Sequence, residues 1–144
     1  NSSSPLILHV VNNEIYFKAD DGIHGYELWK TDGTLNGTQL IKDIWPGSTS
    51  GYLNSGCCWI SSIEIYDRIY FRGTDSNGSN LWSSDGTEDG TRFVKDFKDP
   101  TSTHTQLYVF EFKETLLLDV YLPGNYNIPD RKIFTADLET DIYL

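Results

Sequence analysis

One stretch of this chain is written twice in the same register, and that repetition restricts its fold more than any other feature. Ile15-Tyr16-Phe17-Lys18 returns as Ile69-Tyr70-Phe71-Arg72. Glu27-Leu28-Trp29-Lys30-Thr31-Asp32-Gly33-Thr34 returns as Asn80-Leu81-Trp82-Ser83-Ser84-Asp85-Gly86-Thr87, and Gly37-Thr38-Gln39-Leu40-Ile41-Lys42-Asp43 as Gly90-Thr91-Arg92-Phe93-Val94-Lys95-Asp96. Trp29 to Trp82 and Asp32 to Asp85 are both steps of 53 residues. A third copy keeps the period with less of the wording. Ile133-Phe134-Thr135-Ala136-Asp137 aligns with Leu81-Trp82-Ser83-Ser84-Asp85 at a step of 52, and Leu116-Leu117-Leu118 stands in place of Ile69-Tyr70-Phe71. The Gly-Thr turn has given way there to Leu138-Glu139-Thr140-Asp141, as in a capping repeat or a truncated one.

Each copy reads as four short strands. The pattern predicts them at about Leu6–Val11, Glu14–Ala19, Tyr26–Thr31 and Thr38–Ile44 in the first copy. In the second they fall at about Trp59–Ile65, Arg68–Gly73, Asn80–Ser84 and Thr91–Phe97. In the third they fall at Gln106–Lys113, Thr115–Tyr121, Arg131–Ala136 and a stub at Ile142–Leu144. Asn12-Asn13 and Tyr66-Asp67 are two-residue connections of the kind that join antiparallel neighbours. An aromatic content of 14% with 12 glycines suits pleated surfaces and tight turns, and no segment carries a helical period. The expected fold is therefore all-β and β-propeller-like, one repeat domain over residues 1–144 with blades at about 5–47, 57–100 and 106–144. Closed propellers use about 4–8 blades. Three would leave apolar faces open, so the propeller is expected either to be incomplete, with further blades missing, or to be completed by other chains, in a ring or a filament.

A net charge of −10 repels phosphate backbones and anionic lipid, which argues against nucleic acid as a partner. No apolar run is long enough for membrane insertion; Thr115-Leu116-Leu117-Leu118 is broken by Asp119. Asn-x-Ser/Thr sequons at Asn1, Asn36 and Asn77 point to an extracellular, N-glycosylated protein. The chain opens on Asn1 rather than Met, as a processed mature form or a piece of a longer protein would. Cys57 and Cys58 are adjacent. A vicinal disulfide, bridges to other chains, or two buried thiols all remain open readings.

The run Glu27-Leu28-Trp29-Lys30-Thr31-Asp32-Gly33-Thr34 resembles the ELWxxDGT repeat family. The fuller family pattern is a Tyr-Phe strand, Asp-Asp-Gly-x-His-Gly, the motif itself, Gly-Thr, then Val-Lys-Asp-Ile-x-Pro-Gly. It is matched from Ile15 through Gly47. The second copy departs at Asn80 and at Lys98-Asp99-Pro100, and the third keeps only a skeleton. The resemblance implies a propeller-like fold in large secreted or surface-anchored proteins, with no established catalytic chemistry to carry over.

Asp32, Gly33, Thr34, Asp85, Gly86 and Thr87 read as turn formers: Asp and Thr bond nearby backbone and Gly supplies positive φ. Trp29, Trp82 and Phe134 hold equivalent strand positions suited to packing between blades, with Asp137 at the matching Asp position of the third copy. Asp20-Asp21-Gly22-Ile23-His24-Gly25 and Asp75-Ser76-Asn77-Gly78-Ser79 offer oxygens of the sort Ca²⁺ takes. An ordinary Asx turn is the competing reading, so Asp20, Asp21, Asp75 and Asn77 are candidate metal ligands and nothing stronger. His9, His24 and His104 stand in non-equivalent settings, and no nucleophile elbow or phosphate loop is present. The expectation is a protein without enzymatic activity and without a cofactor beyond glycans. Its role would be structural or adhesive, assembling as a homo-oligomer or fibril through open blade faces. Trp45, Tyr52, Trp59 and Tyr126 keep open an alternative as a lectin-like domain that binds extracellular glycans.

Overall fold

The computed structural model describes residues 3–51, 62–76, 78–96, 106–112, 115–122, 130–137 and 141–143. These residues are all β in four-stranded antiparallel sheets, with no helix among them. The first sheet joins β1 (Leu6–Val11), β2 (Glu14–Asp20), β3 (Tyr26–Thr31) and β4 (Gln39–Lys42) in chain order. The second joins β5 (Ser62–Ile65), β6 (Arg68–Asp75), β7 (Gly78–Ser84) and β8 (Arg92–Asp96) in the same way. A third meander holds β9 (Gln106–Phe112), β10 (Thr115–Leu122), β11 (Asp130–Asp137) and β12 (Asp141–Tyr143). Its β9 lies against β5, β6 and β7.

The hairpins follow from their turn residues. Asn12 and Asn13 have φ of 50° and 65°, and Tyr66 and Asp67 have 50° and 59°. Two successive left-handed residues make the turn whose twist matches paired strands. The β1–β2 and β5–β6 connections thereby fix Val11 opposite Glu14 and Ile65 opposite Arg68. Strand β4 is shorter than the expected Thr38–Ile44 for a local reason. The Thr38 N–H donates to the Leu35 carbonyl within the preceding turn, and the Ile44 N–H leaves the ladder to bond Glu27.

Register puts equivalent residues in equivalent places. Phe17 pairs with Trp29 and Trp29 with Leu40; Phe71 pairs with Trp82 and Trp82 with Phe93. Leu118 faces Phe134 in the third sheet. A register shift falls at Leu28/Trp29 and again at Leu81/Trp82, a bulge repeated with the sequence. Strand alternation sends Val11, Tyr16 and Leu28 to one face of the first sheet, while Ile69, Phe71 and Trp82 occupy the other type of face in the second. These two faces, with Ile41 and Ile44, meet in one core. Phe71, Leu28 and Ile69 are fully buried, each stabilising by about 1.5–3 kcal/mol relative to exposure. Trp82 meets Phe93 edge-on at 6.2 Å between centroids.

Candidate functional site

The motif turn between the third and fourth strands is closed by its own side chains. Asp32 Oδ1 accepts from the Thr34 N–H at 2.9 Å and from the Thr34 hydroxyl at 2.7 Å. The Gly37 N–H donates to Thr34 Oγ1, and the Thr38 hydroxyl donates to the Thr34 carbonyl. Thr31 Oγ1 accepts from the Gly33 N–H and pairs with the Thr38 hydroxyl. Every one of these bonds recurs in the second sheet through Asp85, Thr87, Gly90, Thr91, Ser84 and Gly86. Gly33 and Gly86 hold φ of 89° and 85°, which supplies the reversal. Gly37 and Gly90 are glycine for another reason: a Cβ on either would overlap the carboxylate of Asp32 or Asp85. Both aspartates are held below the usual carboxylate range. For Asp32 the Thr34 hydroxyl is the largest cause; for Asp85 partial burial opposes the larger combined pull of Thr87 and Arg68.

Glu27 does something the repeat did not announce. It is fully buried, and its carboxylate accepts from the Ile44 N–H at 3.2 Å, the Trp45 N–H at 3.4 Å and the Gly51 N–H at 2.7 Å. It is the post around which residues 44–51 fold. Gly51 and Gly25 have no room for a side chain beside this loop. Burial pushes the Glu27 carboxyl up to about 7, against the downward pull of the three N–H groups. The loop's far end then ties into the second sheet, since the Thr74 N–H donates to the Gly51 carbonyl at 2.6 Å. At the matching position of the second sheet stands Asn80, also fully buried, donating to Asp75 Oδ1 and the Gly78 carbonyl. The signal available in the sequence was this Glu-to-Asn exchange directly before the repeated Leu-Trp pair.

The acidic loop is an Asx turn. Asp20 Oδ1 accepts from the Gly22 N–H; Asp21 Oδ1 accepts from the Ile23 and His24 N–H groups, and its other oxygen pairs with His24 Nδ1 at 2.7 Å. Among the described residues no three His, Cys, Asp or Glu side chains gather as a cation site. Asp75 serves Asn80, and its loop neighbour Asn77 lies outside the described residues, as do Asn1, Cys57, Cys58, His104, Tyr52, Trp59 and Tyr126. Trp45 is half-buried with its backbone N–H held by Glu27. Asn36 is exposed on the first motif turn. Phe134 and Asp137 sit in β11, with Asp137 opposite Asp141.

The first and second sheets are joined by specific polar contacts around their shared core. His9 Nε2 and Ser62 Oγ are 3.1 Å apart, and Lys42 Nζ donates to the Glu88 carbonyl. The Tyr16 hydroxyl fills the space beside Gly86. Burial, then the charges of Glu14 and Asp85, raise the Tyr16 phenol above its ordinary value.

Repeat-equivalent residues differ sharply in cover across this junction. Ile69, Phe71, Ser84 and Thr91 are 0–1% exposed and Trp82 8%, while Ile15, Phe17, Thr31 and Trp29 are only half-buried and Thr38 is exposed. Gly86 is buried and Gly33 exposed, with nothing within 4 Å of where a Gly33 side chain would begin. Trp82 packs in the core shared by the two sheets, whereas among the described residues Trp29 is only half-buried on the equivalent face of the first.

No protein-family model, curated protein or solved structure matches this chain.

Proposed function

We propose that this is a non-enzymatic extracellular repeat protein of structural or adhesive type, a glycosylated subunit that works by assembling with other chains through the faces of propeller-like blades. One observation carries this reading: Ile69, Phe71 and Trp82 are buried in the second sheet, while the identical Ile15, Phe17 and Trp29 of the first are only half-buried. A face that is apolar, preformed and matched to a known covering surface favours association in water. The motif side chains support the non-enzymatic part. Asp32, Thr34 and Thr38, like Asp85, Thr87 and Thr91, are spent on closing turns. The resemblance to ELWxxDGT repeats agrees with a surface-associated architecture, and the exposed Asn36 has room for a glycan. Electron microscopy and light scattering of the native glycoprotein test the reading. Rings or filaments are the expected result, and a folded monomer at every concentration would sink it.

A further inference from the structure

The junction inside the chain shows how one repeat covers the next. In the junction between the first and second sheets, the Val11–Tyr16–Leu28 face of one repeat seats on the Ile69–Phe71–Trp82 face of the next. Tyr16 reaches Gly86, His9 reaches Ser62 and Lys42 reaches the Glu88 carbonyl. Moving one repeat back along the register converts that receiving face into Ile15, Phe17, Trp29, Gly33 and Thr38, with Ile7 in the place of Ser62 because Ile7 pairs with Phe17 as Ser62 pairs with Phe71. Ile7 is 62% exposed.

The covering position of Tyr16 recurs at Tyr70 in the second sheet and, in the third, at Leu117. Leu117 neighbours Leu118, which pairs with Phe134 as Phe71 pairs with Trp82, so Leu117 holds the register position of Tyr16 and Tyr70. From these placements we infer that the open face receives a second copy of this chain, head to tail, with the Leu117 face of one copy seated on the Ile7–Phe17–Trp29 face of the next. This rests on the assembly reading above and specifies its junction. Such a contact is heterologous: it closes a ring when the rotation allows and otherwise propagates. A glycan at Asn36 is compatible with it. Asp89, the equivalent of Asn36 beyond the covered turn, stays exposed although Thr91 beside it is buried.

The register makes a discriminating test available on β1 itself. Val10 is 64% exposed and pairs with Ile15, which gives it the position of Glu64, a residue that stays exposed in the second sheet. Ile7 is thus inside the predicted footprint, and Val10, equally apolar and exposed, is outside it. Sedimentation equilibrium of the chain is compared with Ile7→Glu, Val10→Glu and Leu117→Lys, each checked for β structure by circular dichroism. Ile7→Glu and Leu117→Lys each weaken self-association by about tenfold or more, and Val10→Glu changes it by less than about twofold. Mixing Ile7→Glu with Leu117→Lys restores a 1:1 pair, because one intact junction remains. Equal effects of Ile7→Glu and Val10→Glu, or no rescue on mixing, overturn this junction while leaving assembly intact. A wild-type chain that stays monomeric overturns both. Should Leu117→Lys not fold, the Ile7 and Val10 comparison still decides.

Discussion

The Tyr16 hydroxyl of the first sheet occupies the space that a side chain on Gly86 of the second would need. Gly33, one repeat earlier, has nearly the same φ and open space around it. The two glycines share a backbone requirement and differ only in their neighbours. Gly33→Ala costs about 1–2 kcal/mol of left-handed strain. Gly86→Ala adds an overpacking penalty of about 1–3 kcal/mol. Urea unfolding of the two variants side by side measures the difference, and equal losses would contradict the packing of Tyr16 on Gly86.

Glu27 makes stability depend on pH in an unusual direction. Its folded pKa is about 7, above the ordinary carboxyl value of 4.5, so the native state binds more protons than the unfolded chain between those values. Stability from this group is fully present below pH 4.5 and is lost as the pH rises through about 7. The loss is on the order of 2 kcal/mol once solvent screening is allowed for. Glu27→Gln keeps an acceptor oxygen and removes the charge, much as Asn80 does in the second sheet. Denaturant unfolding at pH 5 and pH 8 is expected to show a drop for the wild type and a flatter response for the variant.

Asp21 and His24 form an exposed pair whose titration is readable by NMR. The Asp21 carboxyl is held at about 2, chiefly by the His24 backbone N–H, and the His24 imidazole is raised above 6.5, chiefly by its bond to Asp21. The Asp21 contribution is present above pH 3.8 and lost as pH falls through about 2. That of His24 is present below pH 6.5 and lost as pH rises through its folded pKa. Asp21→Asn should return the His24 midpoint toward 6.5. An unmoved midpoint would mean that the pair does not persist in solution.

Tyr66 is a bulky aromatic residue where the β5–β6 hairpin asks for a left-handed conformation, with φ of 50°. Its counterpart in the β1–β2 hairpin is Asn12, a residue type that tolerates this region. Tyr66→Asn is expected to raise stability by about 0.5–1 kcal/mol, read as a higher Tm. A lower Tm would mean that the tyrosine ring's own contacts outweigh the backbone gain.

Much of this architecture was legible because strand signals and turn signals are local. Asn12-Asn13 and Tyr66-Asp67 announce their hairpins, and Asp32-Gly33-Thr34 announces its turn. The role of Gly37 and Gly90 was only half visible. Their recurrence in the repeat was plain, and their constraint is the aspartate folded over each. The work of Glu27 was hidden because it acts on residues 44–51, too far along the chain for a periodic pattern to register. Cover was the least legible property. Phe17 and Phe71, or Thr38 and Thr91, sit in nearly the same words, and only their place in the stack separates a half-open residue from a buried one.

The turn that closes each motif draws its hydrogen bonds from within eight residues, Thr31 to Thr38 or Ser84 to Thr91. Such a turn needs no help from the rest of the molecule to take its shape. Duplication of such a unit copies the turn's shape intact, whereas the apolar face beside it is completed only where a neighbouring unit is present.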